Sequence, residues 1–152
     1  MILGMFLGID TSASGLTAER LRMDVIANNI ANANTTRTEN GGAYHRRYVV
    51  FKPRENQPAS FEQALQKARG NSRQNIGEGV RAVSIEEDTQ QGPLVYDPGH
   101  PDANAQGYVE KPNVNVVTEM VDMITAHRAY EANTTAINAA KTMYLKALEI
   151  GR

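Results

Sequence analysis

Two apolar ladders at seven-residue spacing, one near each end of the chain, constrain its fold more than any other feature of the sequence. The front ladder contains Ile9, Leu16, Met23 and Ile30, and the back ladder contains Val116, Met123, Tyr130, Ile137 and Tyr144. A seven-residue repeat stays on one side of a helix only if the helix supercoils around a partner, because a straight helix drifts by about 20° per heptad. Both ends are therefore predicted to be long helices that require helical company.

The region between the ladders has a different composition. All six prolines and most of the glycines lie there, from position 41 to position 112. Because these residues interrupt regular helices, the pattern predicts a mainly α fold in which an irregular insert separates two terminal helices. We expect a coiled-coil-like core built from residues 1–36 and 113–152, with a small β-rich insert at residues 37–112.

The start of the first helix is blurred in the sequence. Several residues from Asp10 to Ser14 have side chains that can cap a helix N-terminus, so we expect the helix to begin among them. Its end is predicted near Asn34, because the preceding run of asparagines combines poor helix formers with side chains that bond their own backbone.

The second helix has clearer boundaries. Asn113 or Asn115 can cap it, and Glu119 and Asp122 come early enough to suit the positive end of the helix dipole. Gly151 marks its predicted end. A helix over 115–150 would be about 50 Å long at about 1.5 Å per residue, longer than a compact domain of this size requires.

Three short strands are predicted in the insert. Residues 48–51 are dense in β-branched and aromatic side chains and precede Pro53, and residues 80–85 and 94–96 form two further candidate strands that could pair with each other. Between them, residues 60–70 fit either a short capped helix or a mobile loop, and the sequence does not decide between the two.

The ladders have two interpretations. An amphipathic helix usually covers the core of its own domain, but the long back ladder, with small residues three positions on at Ala126, Ala140 and Ala147, favours close packing between subunits. Asn133 belongs to the same small-residue series, and a polar side chain in such a seam can fix its register. We therefore expect the nine ladder residues to form an assembly interface.

Composition points the same way and excludes several partners. The 152 residues are 41% hydrophobic and contain no tryptophan, which predicts a thin core completed by assembly. A formal charge of −1 provides no field for nucleic acid or an anionic membrane. The apolar runs are shorter than the roughly 20 residues that span a bilayer, and the first residues lack a secretory leader pattern, so neither membrane insertion nor a cleaved signal is expected.

One segment resembles a metal loop in part. Asp102, Asn104 and Gly107 match the start of a calcium-binding loop, but the twelfth position is Asn113, where a bidentate carboxylate is needed. A calcium-responsive binding module using residues 102–113 is therefore an alternative function, and a plain turn is the expectation that we prefer.

Catalytic machinery is absent from the sequence. His45, His100 and His127 are far apart without ligand spacing, and the chain has no nucleophile elbow or phosphate loop. A glycan hydrolase would need a carboxylate pair that the sequence does not suggest. The basic and aromatic run at 44–48 reads as a solvated strand edge in preference to a nucleic-acid site. We expect no enzyme activity, cofactor, metal or small-molecule substrate.

Motifs at both ends resemble the bacterial flagellar rod and hook proteins. At the front these are Ser14-Gly15-Leu16, Arg20, Asp24 and the run from Asn29 to Thr35; at the back they are the segments 114–117, 119–124 and 128–133, with Asn29, Asn32, Arg128, Glu131 and Asn133 as motif positions. The segments 97–103, 107–109 and 112–115 are similar to the proximal rod proteins of that family. Residues 54–79 have no obvious counterpart.

The resemblance implies a structural subunit of the flagellar drive shaft. It implies export through the organelle's own type III channel without a cleaved leader, and assembly in the periplasm with other copies and other rod proteins, next to the ring base and the export apparatus. In that picture the terminal helices pack in coiled-coil-like layers around the channel and transmit torque.

Overall fold

The computed structural model describes residues 2–39, 41–54, 65 and 79–150, with the backbone alone at 2–6 and 150. Within those residues the chain forms two long helices separated by two small sheets. The elements are α1 (Ile2–Ala31), β1 (Arg47–Pro53), β2 (Val80–Glu87), β3 (Leu94–Tyr96), β4 (Tyr108–Glu110) and α2 (Val116–Ile150). The predicted mainly helical fold with a β-containing insert is confirmed, whereas the coiled-coil geometry of the core stays a prediction.

Helix α1 begins earlier than predicted. It starts at Ile2, so the hydroxyls that were expected to cap it lie inside the helix. There they donate hydrogen bonds to carbonyls of the preceding turn. Thr11 donates to the Leu7 carbonyl at 2.8 Å, and Ser14 donates to the Thr11 carbonyl at 2.7 Å. Serine and threonine inside helices commonly bond to the preceding turn in this way. The predicted end is close, since the helix stops at Ala31 and a turn follows.

Helix α2 matches its prediction. It spans 35 residues from Val116, and Asn115 is the N-cap: its Oδ1 accepts from the backbone N–H groups of Val117 and Thr118 at 3.0 and 3.3 Å. Asn113, the other candidate cap, has a different role. Its Oδ1 accepts the Arg46 N–H at 2.7 Å and its Nδ2 donates to the Gln90 carbonyl at 3.0 Å, so it joins the insert to the start of α2.

The two helices pack against each other in antiparallel orientation. Near one end, Asn29 of α1 donates to Glu119 of α2 at 2.9 Å. Fourteen residues back along α1 and fourteen forward along α2, Gly15 lies against Asn133. The insert therefore sits at one end of the helix pair. The buried apolar side chains are Ala18, Val25, Ile26, Ala43, Tyr44, Val109 and Ala126.

The sheets pair differently from the prediction. β1 pairs antiparallel with β2, with a register shift between Val50 and Phe51, and both strands lie against α1. β3 pairs with β4, a three-residue strand that the sequence analysis missed. The predicted pairing of 80–85 with 94–96 is wrong, because the first of these strands pairs with β1 and the second with β4. The choice between helix and loop at 60–70 falls outside the described residues except Leu65.

The loop after α1 is tied to the β3–β4 hairpin. Thr36 donates from Oγ1 to Asp102 Oδ2 at 2.8 Å, and Arg37 lies 3.6 Å from the same carboxylate. Tyr44 N–H donates to the Thr35 carbonyl at 3.0 Å, which folds this loop back toward β1. Neither described helix combines the length and apolarity that crossing a bilayer requires.

Candidate assembly interface

The face of α2 that packs against α1 carries residues three positions after the back ladder. Glu119, Ala126 and Asn133 follow one another at seven-residue spacing, three positions after the ladder residues, and this series meets α1. Glu119 and Ala126 are fully buried. The series that contacts α1 within the same chain is thus offset by three positions from the predicted ladder, whose role as an assembly interface stays a prediction.

The front ladder does not coincide with the buried face of α1. The buried residues of that helix are Ser14, Ala18, Val25, Ile26 and Asn29. At about 100° per residue, the ladder lies more than a quarter-turn away from Asn29 around the helix. Of the nine predicted interface residues, Val116 is exposed at 39%, and the others are partly buried: Ile9, Leu16, Met23, Ile30, Met123, Tyr130, Ile137 and Tyr144.

Asn29 is the centre of a buried polar cluster that joins α1, β1 and α2. Its side chain is fully buried and all its hydrogen-bonding capacity is used. Nδ2 donates to the Arg47 carbonyl at 2.7 Å and to Glu119 Oε2 at 2.9 Å. Oδ1 accepts from the Tyr44 hydroxyl and the Arg47 N–H, each at 3.0 Å. One side chain therefore fixes the insert on the helix pair.

Glu119 supplies the charge of this cluster. Its carboxylate is fully buried, and Oε1 accepts from Arg46 Nε at 2.6 Å. Arg46 also lies 3.3 Å from Asp122 through Nη2. Burial raises the pKa of the Tyr44 phenol above its usual value, while the nearby Arg47 guanidinium opposes that shift. Glu119 lies in the first turn of α2, as predicted, and its carboxylate also forms a buried ion pair with Arg46.

The Ser14-Gly15 motif has a structural explanation. Ser14 is buried, and its Oγ accepts the Val80 N–H at 3.0 Å, which attaches β2 to α1. Gly15 makes room for Asn133, because a Cβ at this position would lie 2.9 Å from Asn133 Nδ2. Asn133 itself donates to the Ala129 carbonyl at 3.0 Å.

The remaining motif residues lie apart from the buried cluster. Asn32 donates to the Asn28 carbonyl at 2.9 Å and accepts from the Thr35 hydroxyl at 3.2 Å, which shapes the turn after α1. Arg128 and Glu131 are exposed on α2, and Glu131 lies 3.7 Å from His127. The structure therefore brings Asn29 and Asn133 onto the helix contact and leaves Arg128 and Glu131 at the surface.

The calcium-like loop is a structural turn. The Asp102 carboxylate accepts a hydrogen bond from Thr36 and pairs with Arg37. Asn104 Oδ1 accepts hydrogen bonds from the backbone N–H groups of Gln106 and Tyr108, each at 2.9 Å. His100 Nδ1 accepts the Asp102 N–H at 3.1 Å, as expected for a turn residue. These oxygens stabilise the loop itself, and no group of three or more metal-ligating side chains occurs among the described residues.

The basic run at 44–48 is neutralised by carboxylates. Arg46 points inward to Glu119, and Arg47 lies 2.6 Å from Glu87 on the neighbouring strand. The expectation of a solvated strand edge was therefore incomplete, since Arg46 belongs to the buried cluster. The sequence signal that could have revealed this cluster is the place of Glu119 in the same seven-residue series as Ala126 and Asn133, where a charge requires a partner.

Comparison with known proteins identifies the family. Residues 9–37 match the family model for "Flagella basal body rod protein", and residues 105–150 match "Flagellar basal body rod FlgEFG protein C-terminal". The chain is 51% identical to the flagellar basal-body rod protein FlgC of Borreliella burgdorferi, over 97% of this chain and 98% of that protein. It is 48% identical to FlgC of Bacillus subtilis over the same shares, and 38% identical to FlgC of Salmonella typhimurium over 94% and 95%. The chain belongs to the FlgC family of flagellar basal-body rod proteins.

Proposed function

We propose that this chain is a structural, non-enzymatic subunit of the flagellar rod that assembles through its terminal helices. Membership of the FlgC family supports the structural role. The observation that carries the assembly mode is the front ladder, whose four residues are only partly buried within the subunit and so leave apolar surface for a neighbouring subunit.

In this proposal the chain works in three parts. Residues 1–36 and 113–152 form the axial core, where the α1–α2 pairs of successive subunits pack in layers around the export channel. Residues 37–112 form the outward-facing insert. Dense side-chain packing between helices resists sliding, so torque passes along the shaft. The partners are other copies, other rod proteins, the ring base and the export apparatus.

The place of assembly follows from the same proposal. The subunit passes through the organelle's own export channel and joins the rod in the periplasm. The antiparallel helix pair would re-form there after passage as an extended chain. Its buried ion pair and cap residues supply the local order that the free subunit needs before neighbours complete the core.

The decisive experiment is a charge placed on the front ladder. Met23→Glu adds a carboxylate to a side that is only partly buried in the subunit, so the isolated protein should stay folded while rod assembly and motility are lost. Val83→Glu is the matched control, because Val83 is an apolar side chain, 47% exposed, on β2. Cells carrying Met23→Glu as their sole copy that swim like the Val83→Glu strain would contradict the proposal.

A further inference from the structure

A second apolar surface lies on α2, on the side that faces away from α1. Val117, Met120, Val121 and Ile124 follow helical i, i+3, i+4, i+7 spacing, and their exposed fractions are 72, 55, 57 and 53%. They lie across the helix from Glu119 and Ala126, which are fully buried. We call these four residues the helix patch. Apolar residues so regularly spaced and so exposed mark a contact surface better than scattered ones do.

A third apolar surface lies on the β3–β4 hairpin. Leu94 and Tyr96 are 66 and 64% exposed, and Tyr108, opposite Tyr96 on the same face, is 41% exposed. The two tyrosine rings pack edge to face with centroids 5.2 Å apart, so they form a fixed surface. On the other face of the hairpin, Val109 is 3% exposed and its partner Val95 is 38% exposed, so that face is the more buried of the two. We call Leu94, Tyr96 and Tyr108 the hairpin patch.

The two patches are complementary in charge. Glu110 pairs with Leu94 across the hairpin and so stands on the same face as the hairpin patch. Arg128 follows Ile124 by about one turn of α2, at the end of the helix patch. Neither Glu110 nor Arg128 makes an ion pair with any residue that the structure describes. Within the described part of the chain, one patch therefore ends in a carboxylate and the other in a guanidinium that are available for pairing.

The spacing of the patches also corresponds. Leu94 and Tyr96 lie about 6.8 Å apart along their strand, at about 3.4 Å per residue. Val117 and Val121 lie about 6 Å apart along α2, at about 1.5 Å per residue. A hairpin laid along the helix can therefore place its outward side chains against successive turns of the patch.

We propose that the hairpin patch of one copy docks on the helix patch of the next copy, with Glu110 paired to Arg128. This inference deepens the proposed rod function and rests on it. Because two different surfaces meet, the contact is heterologous, and repeating it extends an open array instead of closing a dimer. The two patches contribute four and three residues, far fewer than the roughly 20 to 30 residues on each side of a stable interface, so the contact acts only between copies already held by their helices.

Cross-linking tests the contact directly, because the chain has no cysteine of its own. The double variant Tyr96→Cys, Met120→Cys is expressed as the sole copy in cells, and their rods are treated with a short bismaleimide. We expect cross-linked oligomers that extend beyond the dimer. Tyr48→Cys with Met120→Cys is the control, since Tyr48 is 40% exposed but lies on β1. A yield of cross-linked oligomers no higher than in this control, or dimers from either single-cysteine variant alone, would overturn the proposal.

A charge exchange separates this proposal from the rod function itself. Glu110→Arg and Arg128→Glu should each reduce the number of rods per cell severalfold, and the double exchange should restore it. Motile cells whose rods give no cross-linked oligomers would leave the rod function standing and reject the contact. Cross-links to a different rod protein, in place of oligomers of this chain, would also reject a second copy as the occupant. A double exchange that does not restore the number of rods would reject it as well.

Discussion

The buried carboxylate of Glu119 allows the sharpest test of how the insert is held on the helix pair. Glu119→Gln keeps the size of the side chain and removes its charge. The amide can accept only through its one oxygen, while Asn29 Nδ2 and Arg46 Nε both donate to this residue. Either orientation of the new amide therefore places one donor against another.

The expected cost is large for an isosteric change. Breaking a buried ion pair typically costs about 3 to 5 kcal/mol, and losing one hydrogen bond to a charged group about 1.5 to 3 kcal/mol. Arg46 keeps Asp122 at 3.3 Å and is 29% exposed, so it is not stranded. We therefore expect a loss of about 3 kcal/mol, which at about 2 to 4 °C per kcal/mol lowers the melting temperature by about 6 to 12 °C.

The measurement is the free energy of unfolding of the full chain in urea, monitored by circular dichroism. The slope m should be the same for all variants. Asp122→Asn is the matched control, because Asp122 is 36% exposed and binds the same guanidinium. It should cost less than about 1 kcal/mol, as exposed ion pairs do. If Glu119→Gln costs no more than Asp122→Asn, the buried ion pair does not hold the insert and this reasoning is wrong.

Three further predictions concern single positions. Replacing glycine by alanine inside a helix usually raises stability by up to about 1 kcal/mol, but Gly15→Ala should not, because its Cβ would meet Asn133. Adding Asn133→Ala should recover this increase in stability, measured by thermal melts. Asn115→Ala should destabilise the protein by about 1 kcal/mol through loss of the cap of α2, and unchanged urea midpoints would contradict this. The Tyr44 pKa is raised in the folded chain, so its contribution to stability is complete below the unfolded pKa of about 10 and is lost as pH rises through the folded value. Urea unfolding from about pH 8 to about pH 11 should therefore show a shallower alkaline decline for Tyr44→Phe than for the unmodified chain.

Local periodicity predicted the helices but not the side of α1 that would be buried. On α2, Glu119 and Asn133 meet α1 and lie two heptads apart, three positions after residues of the predicted ladder, because side-chain direction along a helix follows from sequence position. The buried face of α1 instead carries Ser14 and Asn29, polar residues whose partners are far away in sequence. Asn29 meets Glu119 ninety residues later. Such contacts have no local signature.

The sheets show the same limit. β1 was predictable from its β-branched and aromatic residues, and its partner was not, because β2 returns only after a long intervening segment. β4 was missed because it directly follows turn-forming residues, and its sequence was interpreted as part of a calcium-like loop. Strand existence is a local property here, whereas strand partnership depends on the whole chain.

The contact between Asn29 and Glu119 has a consequence for how such subunits can diversify. It holds the points where the chain leaves α1 and enters α2 side by side, so the whole middle of the protein departs from and returns to one small junction. Material added far from that junction adds length without changing the separation that the helices must span. Subunits of this kind could therefore enlarge their middle region while the contact between the two helices stays the same.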